Sequence, residues 1–273
     1  MARLINQRPG RGGALLLGCL PFVLIIICYL FGSAARLAEN PNDKLLPSPA
    51  SLSAAIVQVA MTEDARTGRV ILWQDSGASL RRLTIGLGIA TLIGLTFGIG
   101  IGLIPLVRSS LSPFFAAFSM VPCLAILPIL FIIFGLGEVS KIVLIVAGTA
   151  PFLVRDLAMR VQDLPSEQLI KAQTLGASTW QIILRVTLPQ VMPRLIDSVR
   201  LSLGPAWLFL IAAEAIAATE GLGYRIFLVR RFLAMDIILP YVLWITILAF
   251  LFDWALRLLV RRDFAWSMAR GAS

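Results

Sequence analysis

The chain has 273 residues, of which 58% are hydrophobic and only 14% charged, and its mean hydropathy is +0.88. A soluble domain carries roughly 45–50% apolar and about 25% charged residues, so a bilayer must take the excess that an interior of this size cannot hold. The same balance excludes a disordered chain, and three cysteines in apolar runs (Cys19, Cys28, Cys123) read as small hydrophobes and not as a disulfide or metal framework. With no histidine, Ser-His-Asp catalysis, HExxH zinc sites and histidine proton relays are also removed, so no catalytic residue, metal site or cofactor of its own is expected.

Residues 1–13 are expected to form a basic tail. Between Arg11 and Arg36 no charge interrupts a run long enough to cross a hydrocarbon core about 30 Å thick, which makes residues 14–36 a first span. Ser33-Ala34-Ala35 faintly resembles a cleavage site, but a signal peptide's apolar core is only about 7–15 residues, so the span is expected to remain. A polar segment, 37–82, follows.

Leu83–Val107 and Ser109–Gly137 are uncharged and separated only by Arg108, which predicts spans two and three joined by a tight turn. In span two, Ala90, Gly94, Gly98 and Gly102 recur every four residues on one helical face, where another helix should pack closely. Gly98-Ile-Gly100-Ile-Gly102 lacks the full GxGxxG spacing and follows no strand, so it is no dinucleotide fingerprint. The run Ile142–Val154 is short, but with Lys141 and the Arg155-Asp156 pair snorkelling from its ends it predicts a fourth span of roughly 20 residues.

After the long polar loop 155–200, Leu201–Thr219 and Ile237–Leu256 make spans five and six, interrupted only by Glu214 and Asp253 respectively. The predicted fold is an all-α polytopic membrane protein of about six transmembrane helices, with a core over 83–260 and a tail over 261–273. Recurrent prolines (Pro105, Pro113, Pro122, Pro128, Pro151, Pro205, Pro240) can each end or bend a helix.

With the N-terminus inside, Arg3, Arg8, Arg11, Arg108, the loop 155–200 and Arg257, Arg261, Arg262 and Arg270 all fall on the cytoplasmic side, the better positive-inside fit. Arg81, Arg82, Arg225, Arg230 and Arg231 then lie outside, where Glu39, Asp43, Glu63, Asp64 and Asp75 dilute the charge. The net charge of +9 thus reflects topology, and nucleic acid is not an expected partner. Asp253 has Arg257 one turn later as a local ion-pair partner. Glu214 has no such neighbour, which leaves three readings: it lines a pathway or gate, pairs with a basic residue from another helix, or is protonated.

The loop 155–200 is far longer than the roughly 12–15 residues beyond which a connection usually carries structure or function of its own. Pro165 suits the first turn of a short helix, Leu169 and Ala172 share a face, and Gly176 supplies a left-handed stop. Ser178 and Gln181 form a capping-box pair for a second helix through Trp180, Ile182, Ile183 and Val186, predicted to end at Pro189. A compact helix–turn–helix of this kind is suited to dock into a groove on a soluble partner.

These residues resemble the EAA loop of the membrane subunits of binding-protein-dependent ABC importers: Ile170-Lys171-Ala172, Gly176-Ala177-Ser178, Leu188-Pro189 and Pro193 stand at the positions of that signature, with Ile170 and Lys171 replacing its first two letters. The segments LLPSPASL, MVPCLAILPILFIIFGLGEVSKI and AAEAIAATEGLGYRI are similar to the taurine, sulfonate and nitrate branch.

The resemblance implies a type I importer permease in a bacterial inner membrane. Its expected partners are a second permease copy, ATPase subunits that use ATP and Mg, an external binding protein, periplasmic or lipid-anchored, and membrane lipid. It also implies coupling through Glu167, Lys171, Ala172, Leu175, Gly176, Ala177, Ser178 and Pro189, and a pathway or gate that includes Met120, Pro122, Glu214, Gly221 and Gly223. The chain has no GxxxxGK loop for nucleotide. The competing reading is a self-contained secondary transporter or channel that couples ion movement through Glu214 and Asp253, and a third is a purely scaffolding membrane protein.

Overall fold

The computed structural model describes residues 10–40, 43–63, 68–264 and 266, within which regular structure is helical apart from one isolated antiparallel bridge between Glu63 and Val70. Arg3, Arg8, Asp64 and Arg270, used above to orient the chain, lie outside the described residues. The chain forms two units, Met1–Thr62 with Val229–Pro240, and Glu63–Leu228 with Tyr241–Ser273.

In the first unit, α1 (Arg11–Glu39) is apolar and long enough to cross a membrane, and none of its most apolar window is buried within the chain. The chain after it turns back along the helix: Tyr29 Oη donates to the Pro47 carbonyl at 2.6 Å, and Ser33 Oγ to that of Leu46 at 3.0 Å. Asp43 accepts the Leu45 N–H at 2.9 Å and pairs with Arg36, and these two partners hold its carboxyl below its ordinary range. Ser48 then caps α2 (Pro49–Met61) by accepting the Ser51 N–H at 3.1 Å, with Pro49 in the first turn.

The second unit is built on α3 (Ile71–Leu103) and α6 (Glu138–Gln162). A Cβ placed on Gly86, Gly94 or Gly98 would lie 2.9, 2.8 and 2.8 Å from the Cβ of Ile145, Leu153 and Leu157, and one on Gly102 would strike Val161. Both partners advance together, so the helices run parallel with their i, i+4 ridges in register. Ala90 on the same stripe has no exposed surface.

Two parallel spans require the chain to return between them. The return is α4 (Pro105–Phe118), a 3₁₀ turn over Cys123–Ile126, and α5 (Leu127–Phe134), with an 81° bend at the break. Span three is therefore broken where a continuous helix was expected. Pro122 and Pro128 lack the amide protons a continuous helix would need there. The turn before it falls at Ile104, and Arg108 sits inside α4 with its guanidinium folded back on the Ile101 carbonyl (3.0 Å) and the Gly102 carbonyl at the C-terminus of α3.

Other boundaries also move outward. Among the described residues five helices are long and apolar enough to cross a membrane, six if the bent pair counts as one span. Lys141 does not snorkel: it is buried and donates to Glu138 at 2.9 Å, while Arg155 donates to Ser119 Oγ at 2.6 Å and Asp156 accepts from Ser198.

Pro189 does not end its helix. From α8 (Thr179–Gln181) the chain widens into a π turn over Ile182–Thr187 and continues as α9 (Leu188–Ala217), one 39-residue helix in all. A π turn gives the proline ring room against the preceding carbonyls, and it leaves Thr187 Oγ1 buried without a partner among the described residues. After α9 come α10 (Leu222–Arg230) and α11 (Met235–Asp263).

The seam is directly testable. Gly98→Leu should lower the yield of folded permease severalfold and its melting temperature, because overpacking a close contact costs about 1–3 kcal/mol. Gly88→Leu, where a Cβ meets nothing within 4 Å, should not. Equal thermal stability of the two variants in detergent would contradict the seam.

Candidate functional site

The stripe of small residues on α3 continues toward its N-terminus as Arg82, Ser79 and Asp75, and all three side chains are essentially inaccessible. Charges buried this deeply need partners. Arg82 Nε and Nη2 donate to the two carboxylate oxygens of Glu138 at 2.6 and 2.8 Å, a bidentate pair. Its Nη1 donates to Glu214 on α9 at 2.6 Å and to the Glu220 carbonyl at 2.9 Å. One guanidinium thereby joins α3, α6, α9 and the turn after α9, which its fixed fork of five donors permits.

The turn is held from three sides. Gly221 N–H donates to Asp75 at 2.9 Å, Leu222 N–H to Ser79 Oγ at 2.9 Å, and Gly223 N–H to Glu214 at 2.9 Å. Ser79 Oγ in turn donates to Glu214 at 2.8 Å, and Arg225 Nε donates to Asp75 at 2.8 Å. Tyr241 Oη adds a 3.3 Å bond to Asp75, and Trp244 Nε1 donates to Ser76 Oγ at 2.8 Å, which ties in α11. Gly221 has φ +127° and stands so close that a Cβ would lie 2.6 Å from the Glu214 carboxyl carbon, so no other residue fits that turn without displacing the charge.

Glu214 thus takes the second of its three readings: it is fully buried in this conformation and paired with Arg82 from another helix. The structure brings Glu214, Gly221 and Gly223 together, whereas Met120 and Pro122 stand exposed at the α4–α5 break. Asp253 pairs with Arg257 at 2.7 Å as the spacing indicates, and also with Arg200 of α9 at 2.8 Å. Both carboxylates that a secondary transporter would use for ion coupling are therefore held by arginines. Sequence reasoning left Asp75, Ser79 and Arg82 in an outer loop because charge ends an apolar window. Their i, i+4, i+7 spacing, in line with Gly86, was the signal for one buried face.

At the other end of the unit, α7 (Ser166–Thr174) stops as its glycine dictates. Gly176 has φ +79°; its N–H bonds the Gln173 carbonyl at 2.9 Å, and the Ala177 N–H bonds that of Ala172 at 3.0 Å, a Schellman motif. Ser178 caps the next helix through Gln181, with both bonds of the capping box present. Glu167, Lys171, Leu175 and Pro189 are exposed and Ala172 and Ala177 half-buried; Ile170 and Trp180 add exposed apolar surface. Gln168, which the sequence did not single out, accepts from Gln190 Nε2 at 2.9 Å and fastens α7 to α9.

A bundle of membrane-length helices on a close parallel seam, with an exposed helix–turn–helix leading into its longest helix, is the architecture of a polytopic membrane subunit with a docking element of its own. The comparisons agree. Residues 90–263 match the model of the family described as binding-protein-dependent transport system inner membrane component. The chain is 43% identical over 71% of its length to the taurine transport system permease protein TauC of Escherichia coli, covering 71% of that protein. It is 27% identical over 97% of its length to a putative aliphatic sulfonates transport permease protein, SsuC, of Bacillus subtilis, covering 93% of it. Its fold is similar to a chain of the MetNI methionine ABC transporter in an inward-facing conformation, with a TM-score of 0.62 and 22% identity over 70% of this chain and 95% of that one. The chain belongs to the family of binding-protein-dependent transport system inner membrane components, and it is the permease subunit of an ABC importer.

Arg82→Gln should destabilise the permease more than Glu138→Gln does, since Glu214 has no exposure and Glu138 keeps 41% of its side chain exposed. Stranding one member of a buried pair costs about 3–5 kcal/mol. Adding Glu214→Gln to Arg82→Gln should recover part of the loss. Additive losses in a thermal-shift double-mutant cycle would show that the two side chains do not interact.

Proposed function

We propose that the solute is a small organosulfonate, taurine foremost, and that two copies of this chain form the pathway in a bacterial inner membrane. The support is chemical kinship: the relatives described above carry taurine and aliphatic sulfonates in their names, and a nitrate import permease protein of Leptolyngbya laminosa is 31% identical over 59% of this chain. In this reading an external binding protein, periplasmic or lipid-anchored, delivers the solute, and partner ATPase subunits hydrolyse ATP with Mg²⁺. This chain performs no hydrolysis.

The observation that carries the coupling half of the proposal is the α7 turn. Ile170, Leu175 and Trp180 are 56, 87 and 66% exposed on an element held rigid by a Schellman motif and a capping box. Exposed apolar surface on a rigid cytoplasmic element suits a groove on a soluble partner. Glu167, Lys171, Ala172, Leu175, Gly176, Ala177, Ser178 and Pro189 form the contact region. Because α8, the π turn and α9 are one continuous helix, a push at the turn reaches Glu214 along a single rod. The Arg82 cluster, with Glu214, Gly221 and Gly223, then acts as the outer clamp that opens or holds with each cycle, and Met120 and Pro122 form the flexible break in the pathway wall.

Gly176→Val tests the coupling. A Cβ there meets nothing within 4 Å, so any effect is backbone strain, about 1–3 kcal/mol at φ +79°. The variant should insert and assemble yet lose most stimulation of ATP hydrolysis by loaded binding protein in proteoliposomes, while Gly176→Asn should retain more because Asn tolerates the left-handed region. Wild-type stimulation in Gly176→Val would remove this loop from the mechanism. Competition for uptake among taurine, alkanesulfonates and nitrate tests the solute.

A further inference from the structure

Beside the buried cluster, at the N-terminal end of α3, lies a separate cavity of about 600 Å³, within the roughly 300–1,000 Å³ usual for small-molecule sites. Trp73, Gln74 and Arg81 line it from α3; Glu63 and Arg69 stand at the Glu63–Val70 bridge; Glu220 comes from the turn that the cluster clamps. Gly77, where a Cβ would meet nothing within 4 Å, keeps the helix face open.

The charges are balanced and underused. Among the described residues the side chains of Glu63 and Arg69 are exposed and make no ion pair or side-chain hydrogen bond. Arg81 keeps 61% of its side chain exposed and meets Glu138 only at 3.5 Å. Glu220 accepts from Gln74 Nε2 at 3.1 Å and lies 3.8 Å from Arg82. Trp73 is braced edge-on by Trp244, with ring centroids 5.5 Å apart, yet remains 57% exposed. Two guanidiniums attract a simple anion that two carboxylates repel, so such a cavity has little net pull on it. A ligand bearing both signs meets no such conflict.

We propose that this cavity binds a small zwitterion with a sulfonate and an ammonium a few bonds apart. Arg69 and Arg81 donate to the sulfonate oxygens, as guanidinium does to the oxygens of a phosphate, which is tetrahedral in the same way. Glu63 and Glu220 accept from the ammonium, which Trp73 can also face through its indole ring. The inference rests on the sulfonate reading above and adds to it: the membrane subunit itself tells an amino sulfonate from an alkanesulfonate, independently of any binding protein.

The test uses the permease–ATPase complex in nanodiscs without binding protein, with radiolabelled taurine as the probe. Taurine should bind saturably, and ethanesulfonate, which lacks only the ammonium, should compete at least roughly tenfold more weakly. Arg69→Gln should weaken both ligands. Glu63→Gln should weaken taurine roughly tenfold and leave ethanesulfonate unchanged, since only the ammonium contact is lost. Both positions are exposed, and unchanged melting temperatures will show that the variants fold. Absence of saturable taurine binding, or equal binding of the two ligands with no effect of Glu63→Gln, overturns the proposal. Uptake by the complete transporter separates the two ideas. If taurine is carried and neither variant alters the taurine-to-ethanesulfonate ratio, the cavity assignment fails and the sulfonate reading stands. If no sulfonate is carried while taurine still binds in the cavity, the sulfonate reading fails.

Discussion

Everything in the larger unit depends on how closely α3 and α6 approach. Lipid tails are as apolar as leucine, so nothing hydrophobic drives two helices together inside a bilayer; dispersion at short range and polar pairing must do it. Glycine at 86, 94, 98 and 102 lets the Cβ atoms of Ile145, Leu153, Leu157 and Val161 sit against the backbone of α3. Because the ridges mesh in parallel, the chain has to return between them, and α9 packs against both α6 and α3, where Glu214 meets Ser79 and Arg82. The seam sets the geometry within which the buried charges meet.

Arg82 is tolerable only because of that geometry. An unpaired guanidinium at such depth would be strongly unfavourable, yet the rigid seam presents Glu138 from α6 and Glu214 from α9 at hydrogen-bond distance. Its remaining donors fall on the turn at 220–223, whose amides are also taken up by Asp75, Ser79 and Glu214. A fully satisfied network of this kind has few alternative arrangements, so it holds one conformation of the turn firmly.

The helix–turn–helix of 166–181 follows different physics. Its shape is local: a left-handed glycine, a capping box and one glutamine bridge suffice, which is why it keeps its form while exposed. Continuity through the π turn converts this local element into the end of a 39-residue helix. Mechanical connection to the buried cluster is therefore a matter of covalent geometry and needs no chain of side-chain contacts.

The sequence by itself determined the features that rest on short-range rules: membrane residence from composition, six apolar runs, the stripe at Ala90, Gly94, Gly98 and Gly102, the stop at Gly176, the Ser178–Gln181 cap and the Asp253–Arg257 pair. Each rests on composition, on an uninterrupted run or on a spacing of three or four residues, all readable along the chain. Tertiary structure alone decided that Arg82 and Lys141 are buried, that Glu214 is paired, that span three is broken and that Pro189 lies inside a helix. A charge closes an apolar window in one dimension whether it faces water or a partner more than 130 positions away, as Arg82 and Glu214 are. Which of these it faces depends on how the helices pack, and that information is distributed over residues far apart in the sequence.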